Sequence, residues 1–88
     1  MKLDFKASFV KDLKRIRNKS IYRRVRGLIQ EVELAANTLE IKDIKKLKAE
    51  GKYYRIRIGD YRVGLIITDD LVIFVRCLHR NEIYRYFP

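Results

Sequence analysis

The sequence predicts an α+β fold in which a helical hairpin covers one face of a four-stranded antiparallel sheet, in the order β-α-α-β-β-β. Apolar residues recur at three- and four-residue intervals in the N-terminal third of the chain, as on one face of a helix. In the C-terminal third they alternate with polar residues, and two-residue turn signals separate the runs. A chain of 88 residues makes one modest core, so residues 1–88 are expected to form a single domain.

The first predicted elements are a short strand and a helix. Alternating apolar and charged residues over about 2–6 predict a short, half-buried strand. From residue 7 to about residue 17 the spacing changes, and Phe9, Leu13 and Ile16 fall on one helix face. Lysines and arginines occupy the opposite face of this helix.

A break at residues 18–20 separates this helix from a second one, for which Ser20 is the expected N-cap. Tyr22, Val25, Leu28 or Ile29, and Val32 mark its apolar face. So short a link predicts that the two helices pack as an antiparallel hairpin. The charged segment from about residue 36 to 52 is expected to be an ordered connector.

Three strands are predicted after the connector, at about 53–58, 61–68 and 71–79. Parity sorts their side chains onto two faces, and a turn at residues 59–60 places Arg57 opposite Arg62. The face expected under the helical hairpin carries Tyr54, Ile56, Ile58, Tyr61, Val63, Leu65, Ile67, Val72, Phe74 and Leu78. The opposite face is expected to carry Tyr53, Arg55, Arg57, Arg62, Gly64, Cys77 and His79. Arg76 falls on the apolar face under strict alternation, so either its side chain reaches an edge or a bulge shifts the register.

Composition points to a polyanion as the partner. Lys and Arg outnumber Asp and Glu by 21 to 11, and the formal charge of +10 favours nucleic acid first and an acidic protein second. The single cysteine, Cys77, excludes an internal disulfide, and the absence of metal-ligand spacing predicts that no metal or other cofactor is used. No apolar signal region and no run of 18 apolar residues occur, which predicts a cytoplasmic protein without a membrane span.

The arginines of one sheet face predict an anion site. Arg55, Arg57 and Arg62 repel one another unless an anion lies among them, and guanidinium groups match phosphate oxygens with paired hydrogen bonds. The alternative is a solvent-facing surface that pairs with carboxylates of a partner. Just after the last strand, the segment from His79 to Tyr84 adds a titratable group, a fixed cation and a phenol. Together these residues predict a surface that grips or cuts RNA.

The element order, the motif Tyr54-Arg55-Ile56-Arg57-Ile58-Gly59-Asp60-Tyr61-Arg62-Val63 and the ending His79-Arg80-Asn81-Glu82-Ile83-Tyr84-Arg85 resemble the RelE/ParE superfamily of bacterial toxins. The resemblance covers nearly the full length. Within the superfamily the chain looks more like the RelE branch of ribosome-dependent mRNA endonucleases than the ParE branch, which inhibits DNA gyrase.

The resemblance implies a set of site residues. Carried over residue by residue, the active surface of the family becomes Arg55, Arg57, Arg62, Arg80 and Tyr84, with His79 where some members hold a histidine. Arginines stand at positions 55 and 57, where the best-known pattern has lysines; a guanidinium neutralises phosphate but is a poor general base. Further contacts to RNA phosphates are expected from Lys48, Lys52 and Arg85.

The reaction implied by the resemblance is metal-free. A 2′-hydroxyl attacks its own 3′-phosphate, the 5′-oxygen leaves, and a 2′,3′-cyclic phosphate remains. Arg57, Arg62 and Arg80 suit the stabilisation of charge. His79 is a base, an acid or a structural strand-end residue. Tyr84 stacks on a base, contacts the phosphate, donates a proton or simply packs.

The resemblance also implies partners: the ribosome with its mRNA, and an acidic antitoxin that wraps the toxin. Two other functions stay open at this point. A gyrase inhibitor of the ParE type would tolerate replacement of His79, Arg80 and Tyr84. A nucleic-acid-binding module without chemistry would bind with a steep salt dependence and cleave nothing.

Overall fold

A computed structural model describes residues 1–48 and 51–88 of the chain. Its elements are β1 (Lys2–Phe5), α1 (Ala7–Arg15), α2 (Lys19–Leu34), a 3-10 turn (Thr38–Glu40), β2 (Ile44–Lys46), β3 (Tyr53–Ile58), β4 (Tyr61–Thr68), β5 (Leu71–His79) and α3 (Ile83–Tyr86). The three C-terminal strands and both long helices predicted from the sequence are therefore confirmed. None of the helices in these two ranges is long and apolar enough to cross a membrane.

The sheet has five strands in the order β1-β5-β4-β3-β2, and it is mixed. The predicted four-stranded antiparallel sheet is wrong in two respects. First, β1 pairs with β5 in parallel, because α1 and α2 carry the chain back across one face before the meander begins. Second, three residues of the predicted connector form β2 beside β3. A run this short gives almost no periodicity to detect. Residues 49 and 50 of the connector lie outside the described residues.

The start of α2 differs by two residues from the prediction. Asn18, not Ser20, is the N-cap: its Oδ1 accepts hydrogen bonds from the backbone N–H groups of Ser20 at 2.9 Å and Ile21 at 3.2 Å. This cap brings Ile21 into the core together with Val25, whereas Tyr22 is exposed. The preceding helix α1 ends at Arg15, two residues earlier than predicted.

The helical hairpin covers one face of the sheet and forms the main core. Its centre contains residues from both helices and from β3, β4 and β5: Phe9, Val25, Val32, Ile56, Val63, Leu65, Val72 and Phe74. Ile83 and Phe87 are also buried but lie outside this core cluster. They belong to the C-terminal segment, which packs against the other face of the sheet.

A bulge between β4 and β5 reverses which side chains of β5 face the helices after Phe74. Leu65 pairs with Phe74 but Gly64 pairs with Arg76, so Val75 is an extra residue in β5. Cys77 therefore pairs with Val63 and is buried in the main core.

The predicted faces of residues 76–79 are wrong for this reason. His79 pairs with Tyr61 and shares its face, whereas Leu78 pairs with Arg62. Both alternatives for Arg76 are observed: the bulge shifts the register, and the side chain reaches the edge of β5, where it pairs with Asp12 of α1.

Candidate functional site

Arg55, Arg57 and Arg62 lie together on the face of the sheet that the helical hairpin does not cover, here called the arginine face. Arg57 is directly opposite Arg62 across β3 and β4. Arg55 is opposite Gly64, which places it diagonally from Arg62. Direct neighbours of this kind have Cβ atoms about 5 Å apart, and diagonal neighbours about 7–8 Å. The predicted clustering of the three arginines is confirmed.

Arg62 is the centre of this cluster. Its Nη1 donates hydrogen bonds to the backbone oxygens of Gly59 at 2.8 Å and of Tyr61 at 2.9 Å, which fix the guanidinium over the β3–β4 turn. Partial burial lowers the pKa of Arg62, and the positive charges of Arg55, Arg57 and Arg80 lower it further, whereas the negative charge of the Tyr84 phenolate would raise it. Arg62 is thus close enough to each of these four side chains to interact with it electrostatically.

Little negative charge within the described residues balances this cluster. The two ion pairs there are Arg76 with Asp12 at 2.8 Å and Arg80 with Asp60 at 3.9 Å. Both side chains of the second pair are mostly exposed, so it is weak. Arg55 donates from Nη1 to the backbone oxygen of Asp43 at 3.0 Å, while its buried Nε has no hydrogen-bond partner in the described ranges. An anion on this face would relieve the repulsion among the guanidinium groups.

The C-terminal segment brings Arg80 and Tyr84 to the same face. The backbone N–H of Arg80 donates to the backbone oxygen of Asp60 at 2.7 Å, which joins the end of β5 to the β3–β4 turn. Helix α3 follows. Its buried residue Ile83 faces the protein, whereas Tyr84 and Arg85 are exposed. Arg80 and Tyr84 thus follow the end of β5 beside the β3–β4 turn that holds Arg62; their role in a site stays a prediction.

The C-terminal segment packs against the sheet at Gly64. A Cβ built on Gly64 would lie 2.6 Å from Cδ2 of Phe87, closer than any side chain can approach. The Phe87 ring also meets the Tyr53 ring edge-on, with centroids 5.8 Å apart. The absence of a side chain at position 64 thus lets Phe87 reach the sheet and anchor the segment that carries Tyr84.

His79 lies elsewhere. Its ring makes an edge contact with Tyr61 at 5.8 Å between centroids, on the helix side of the sheet. Its Nδ1 accepts a hydrogen bond from the Asn81 backbone N–H at 3.2 Å, which in the neutral ring leaves the proton on Nε2. A cleft of about 170 Å³ beside it is lined in part by Asp12, Arg15 and Glu82. The bulge thus separates His79 from the arginines with which it was grouped.

Of the two lysines predicted to contact phosphate, Lys48 lies beside Tyr53 on the arginine face, whereas strand parity gives Lys52 the face of Ile67. Lys48 Nζ is 5.9 Å from the centroid of the Tyr53 ring. Lys52 is exposed just before β3, and its backbone oxygen accepts from the Ile67 N–H at 2.9 Å. Lys45, one of the connector lysines that could contact phosphate, lies in β2, pairs with Arg55 of β3 and shares its face. The sequence does not show which face Lys45 occupies, because β2 has too few residues to be recognised as a strand.

The cleft of about 290 Å³ beside α2 lies mostly off the arginine face. It is lined by Arg24, Gly27, Leu28, Glu31, Lys42, Asp43, Ile56, Arg57 and Ile58, so a single residue of the arginine face contributes to it. A cationic sheet face of this kind can hold the backbone of an extended polyanion. Within residues 1–48 and 51–88, no group of three His, Cys, Asp or Glu residues could hold a metal ion.

This fold, with basic residues on the uncovered sheet face and a tyrosine from a short C-terminal helix, has the architecture of a RelE/ParE-type toxin. The model of the ParE toxin of type II toxin-antitoxin systems matches residues 3–84. The chain therefore belongs to this toxin family, and the resemblance to the RelE/ParE superfamily is confirmed.

Three proteins illustrate the similarity of this chain to known toxins. Toxin RelE3 of Methanocaldococcus jannaschii is 45% identical over 89 residues, which span 100% of both chains. A RelB-RelE antitoxin-toxin complex from Methanococcus jannaschii contains a chain with 45% identity and a TM-score of 0.79, covering 97% of this chain and 99% of that one. A RelE-RelB complex from Pyrococcus horikoshii OT3 matches with 26% identity and a TM-score of 0.73, over 90% and 93% of the two chains.

Proposed function

We propose that this toxin is an endoribonuclease that cleaves mRNA in the A site of the ribosome. The observation that carries the proposal is the convergence of four arginines and a tyrosine on one face: Arg55, Arg57, Arg62, Arg80 and Tyr84. Such a face can bind RNA but supplies only one wall of an active site. A second macromolecule, the ribosome, would supply the other wall and hold the mRNA in place.

The proposed reaction is attack by a 2′-hydroxyl on the adjacent 3′-phosphate. The bond to the 5′-oxygen breaks, and a 2′,3′-cyclic phosphate and a 5′-hydroxyl are formed. Negative charge gathers on the nonbridging oxygens, which would lie against Arg57, Arg62 and Arg80. Tyr84, which is 60% exposed beside Arg62, is available to stack on a base or to protonate the leaving oxygen.

Removal of the 2′-proton is the step for which the arginine face is least equipped. Guanidinium groups remain protonated and do not act as bases. The role of His79 as base or acid stays a prediction, and the register counts against it because His79 lies on the other face. Alignment of the reacting groups on the ribosome would then supply much of the rate. We accordingly expect free RNA to be a poor substrate.

A second basic surface supports a ribosomal partner. Residues 11–26 contain eight lysines and arginines and one acidic residue, Asp12, so this segment holds +7 of the formal charge of +10. Asp12 is buried and paired, while all eight cations are exposed on the helical hairpin. Lys48 and Arg85 extend the arginine face itself, and Lys52 adds an exposed cation at the start of β3. RNA phosphates could therefore be contacted on both sides of the molecule.

The antitoxin is the other proposed partner. Two of the similar solved structures are complexes of RelE with RelB. By analogy, we propose that an acidic antitoxin binds this chain and neutralises its exposed cations. The two proposed partners would meet the toxin in the cytoplasm, where ribosomes act.

The test is a cell-free translation reaction in which mRNA cuts are mapped with and without assembled ribosomes. The native chain should cut only ribosome-bound mRNA, and an Arg80→Ala, Tyr84→Ala double variant should not cut. Lys46→Ala is the matched control, because Lys46 is an exposed cation of β2 paired with Tyr54, on the other face from the neighbouring Lys45. Absence of cuts by folded native protein would refute the proposal.

Inhibition of DNA gyrase is the second candidate, because the family model that matches is that of the ParE toxin. A supercoiling assay with the same three proteins separates the two functions. Inhibition of gyrase that survives replacement of Arg80 and Tyr84 would favour this alternative.

A further inference from the structure

A buried ion pair at the edge of β5 fixes the guanidinium of Arg76. Asp12, which is 3% exposed, accepts hydrogen bonds from Arg76 Nε at 2.8 Å and Nη2 at 3.1 Å. The same carboxylate accepts from the Cys77 backbone N–H at 2.9 Å. A two-pronged pair that is also bonded to the backbone leaves Arg76 little freedom. This hydrogen bonding outweighs burial and raises the pKa of Arg76.

The location of the pair follows from the sheet topology. β1 pairs with β5 only as far as Phe74, so the edge of β5 beyond that residue has no neighbouring strand. Helix α1 takes its place: the Ser8 hydroxyl donates to the backbone oxygen of Val75 at 2.6 Å, and Asp12 accepts from the Cys77 N–H. Arg76 thus lies where α1 meets the outer edge of β5 and, because of the bulge, on the same face as α3.

The fixed guanidinium touches α3 through Tyr86. Cζ of Arg76 lies 5.2 Å from the centroid of the Tyr86 ring, within the range of a cation–π contact. Ile83 of α3 and Phe87, the extended residue that follows the helix, are both buried. Successive residues of an α-helix are 100° apart, so Tyr84 and Tyr86 project from opposite flanks of α3. Rotation of α3 about its axis would therefore move both tyrosines at once.

We infer that Arg76, held by Asp12, is a positioning residue that sets the rotation of α3 through Tyr86 and thereby places Tyr84 beside Arg62. Ile83 and Phe87 fix the depth of the helix on the sheet, but these two buried residues leave it free to roll. The contact on the Tyr86 flank removes that freedom. The catalytic part of this inference rests on the proposed function; the structural part does not.

The test replaces Tyr86, which is 57% exposed, so that folding is disturbed little. Tyr86→Leu removes the ring and the cation–π contact, whereas Tyr86→Phe keeps both and serves as the matched control. At saturating programmed ribosomes, Tyr86→Leu should slow mRNA cleavage about two- to fivefold, the factor that corresponds to one cation–π contact. The ribosome concentration at half-maximal rate should not change, and Tyr86→Phe should resemble the native chain.

A second measurement needs no activity. The Phe87 backbone N–H donates to the Ile83 oxygen at 2.8 Å, so hydrogen exchange at this amide reports the closing turn of α3. Exchange should quicken about two- to fivefold in Tyr86→Leu and not in Tyr86→Phe. Arg76→Lys, which keeps the charge but loses the two-pronged bond, should act in the same direction. Combined with Tyr86→Leu, it should add little, because both substitutions remove the same contact between Arg76 and Tyr86.

The outcomes are distinct. Native exchange in Tyr86→Leu would overturn the inference, as would additive effects of Arg76→Lys and Tyr86→Leu on exchange. A raised half-maximal ribosome concentration with an unchanged maximal rate would show that Tyr86 binds RNA directly, and would overturn it too. If the native protein cleaves nothing, the proposed function fails, and the exchange experiment still decides whether Arg76 positions α3.

Discussion

Substitution of Gly64 by alanine tests whether the docking of the C-terminal segment creates the candidate site. The new Cβ would meet three Phe87 ring atoms at 2.6, 2.7 and 2.9 Å. Carbon atoms in ordinary contact are about 3.5–4.0 Å apart, so the ring must retreat by roughly 1 Å. Overpacking of this kind costs about 1–3 kcal/mol. The lower backbone entropy of alanine returns about 0.5–1 kcal/mol, which leaves a net cost of about 0–2.5 kcal/mol, centred on roughly 1–1.5 kcal/mol.

The cost should fall on the C-terminal segment, because Phe87 is an anchor of that segment and lies outside the main core. A net cost of about 1–1.5 kcal/mol lowers the ratio of docked to undocked forms about five- to twelvefold. If the docked form is the active one, mRNA cleavage should fall by up to the same factor. Hydrogen exchange at the Phe87 amide should quicken, while core amides of β4 and β5 keep most of their protection.

Gly27→Ala is the matched control. Gly27 lies inside α2, and a Cβ there would have no atom within 4 Å. This variant should be more stable by about 0.5–1 kcal/mol and should cleave normally. Native cleavage and native exchange in Gly64→Ala would refute the docking argument. Loss of cleavage in Gly27→Ala would show that the assay responds to changes away from the arginine face.

Three further predictions concern other parts of the fold. Lys45→Ala should weaken RNA binding and flatten its salt dependence, measured by titration at several salt concentrations, whereas Lys46→Ala on the other face should do so less. Burial raises the pKa of Cys77 from 9.0 to about 12. The unfolded thiol therefore ionises in this window while the folded one does not, so stability falls as pH rises from 9 to 12, and Cys77→Ala should flatten that fall in denaturant titrations. Asn18→Ala removes the cap of α2 and should cost about 1 kcal/mol of unfolding free energy, while equal stability would contradict the assignment.

The parts of the fold that sequence predicts are those with local signals. Strands β3, β4 and β5 each have alternation and a turn signal at an end, and the helices have a 3.6-residue period. The parallel pairing of β1 with β5 depends on where a four-residue strand finds a partner nearly 70 residues away, which no local pattern specifies. β2 has three residues, which is less than two repeats of the two-residue strand period.

The same distinction applies to the candidate site. Arg57 and Arg62 were placed correctly because a two-residue turn fixes their register. His79 was placed wrongly because one extra residue in β5 reverses parity between Phe74 and Arg76. Arg76 is the residue through which the sequence indicates this bulge, because strict alternation would place its charge on the apolar face. The place of Gly64 beneath Phe87 depends on the tail folding back, which only the tertiary structure shows.

The bulge at Val75 also affects how sites can be compared between homologues. Deletion of this single residue would leave every motif of the sequence intact, yet it would turn Cys77 and His79 outward and drive Arg76 inward. The presence of this one residue thus determines which side chains at the end of β5 face the helices and which face away from them. If an alignment places a gap on the wrong side of residue 75, it pairs identical residues of two related proteins although their side chains lie on opposite faces of the sheet. In this family, the equivalence of residues near the end of β5 should therefore be judged from strand register before it is judged from sequence identity.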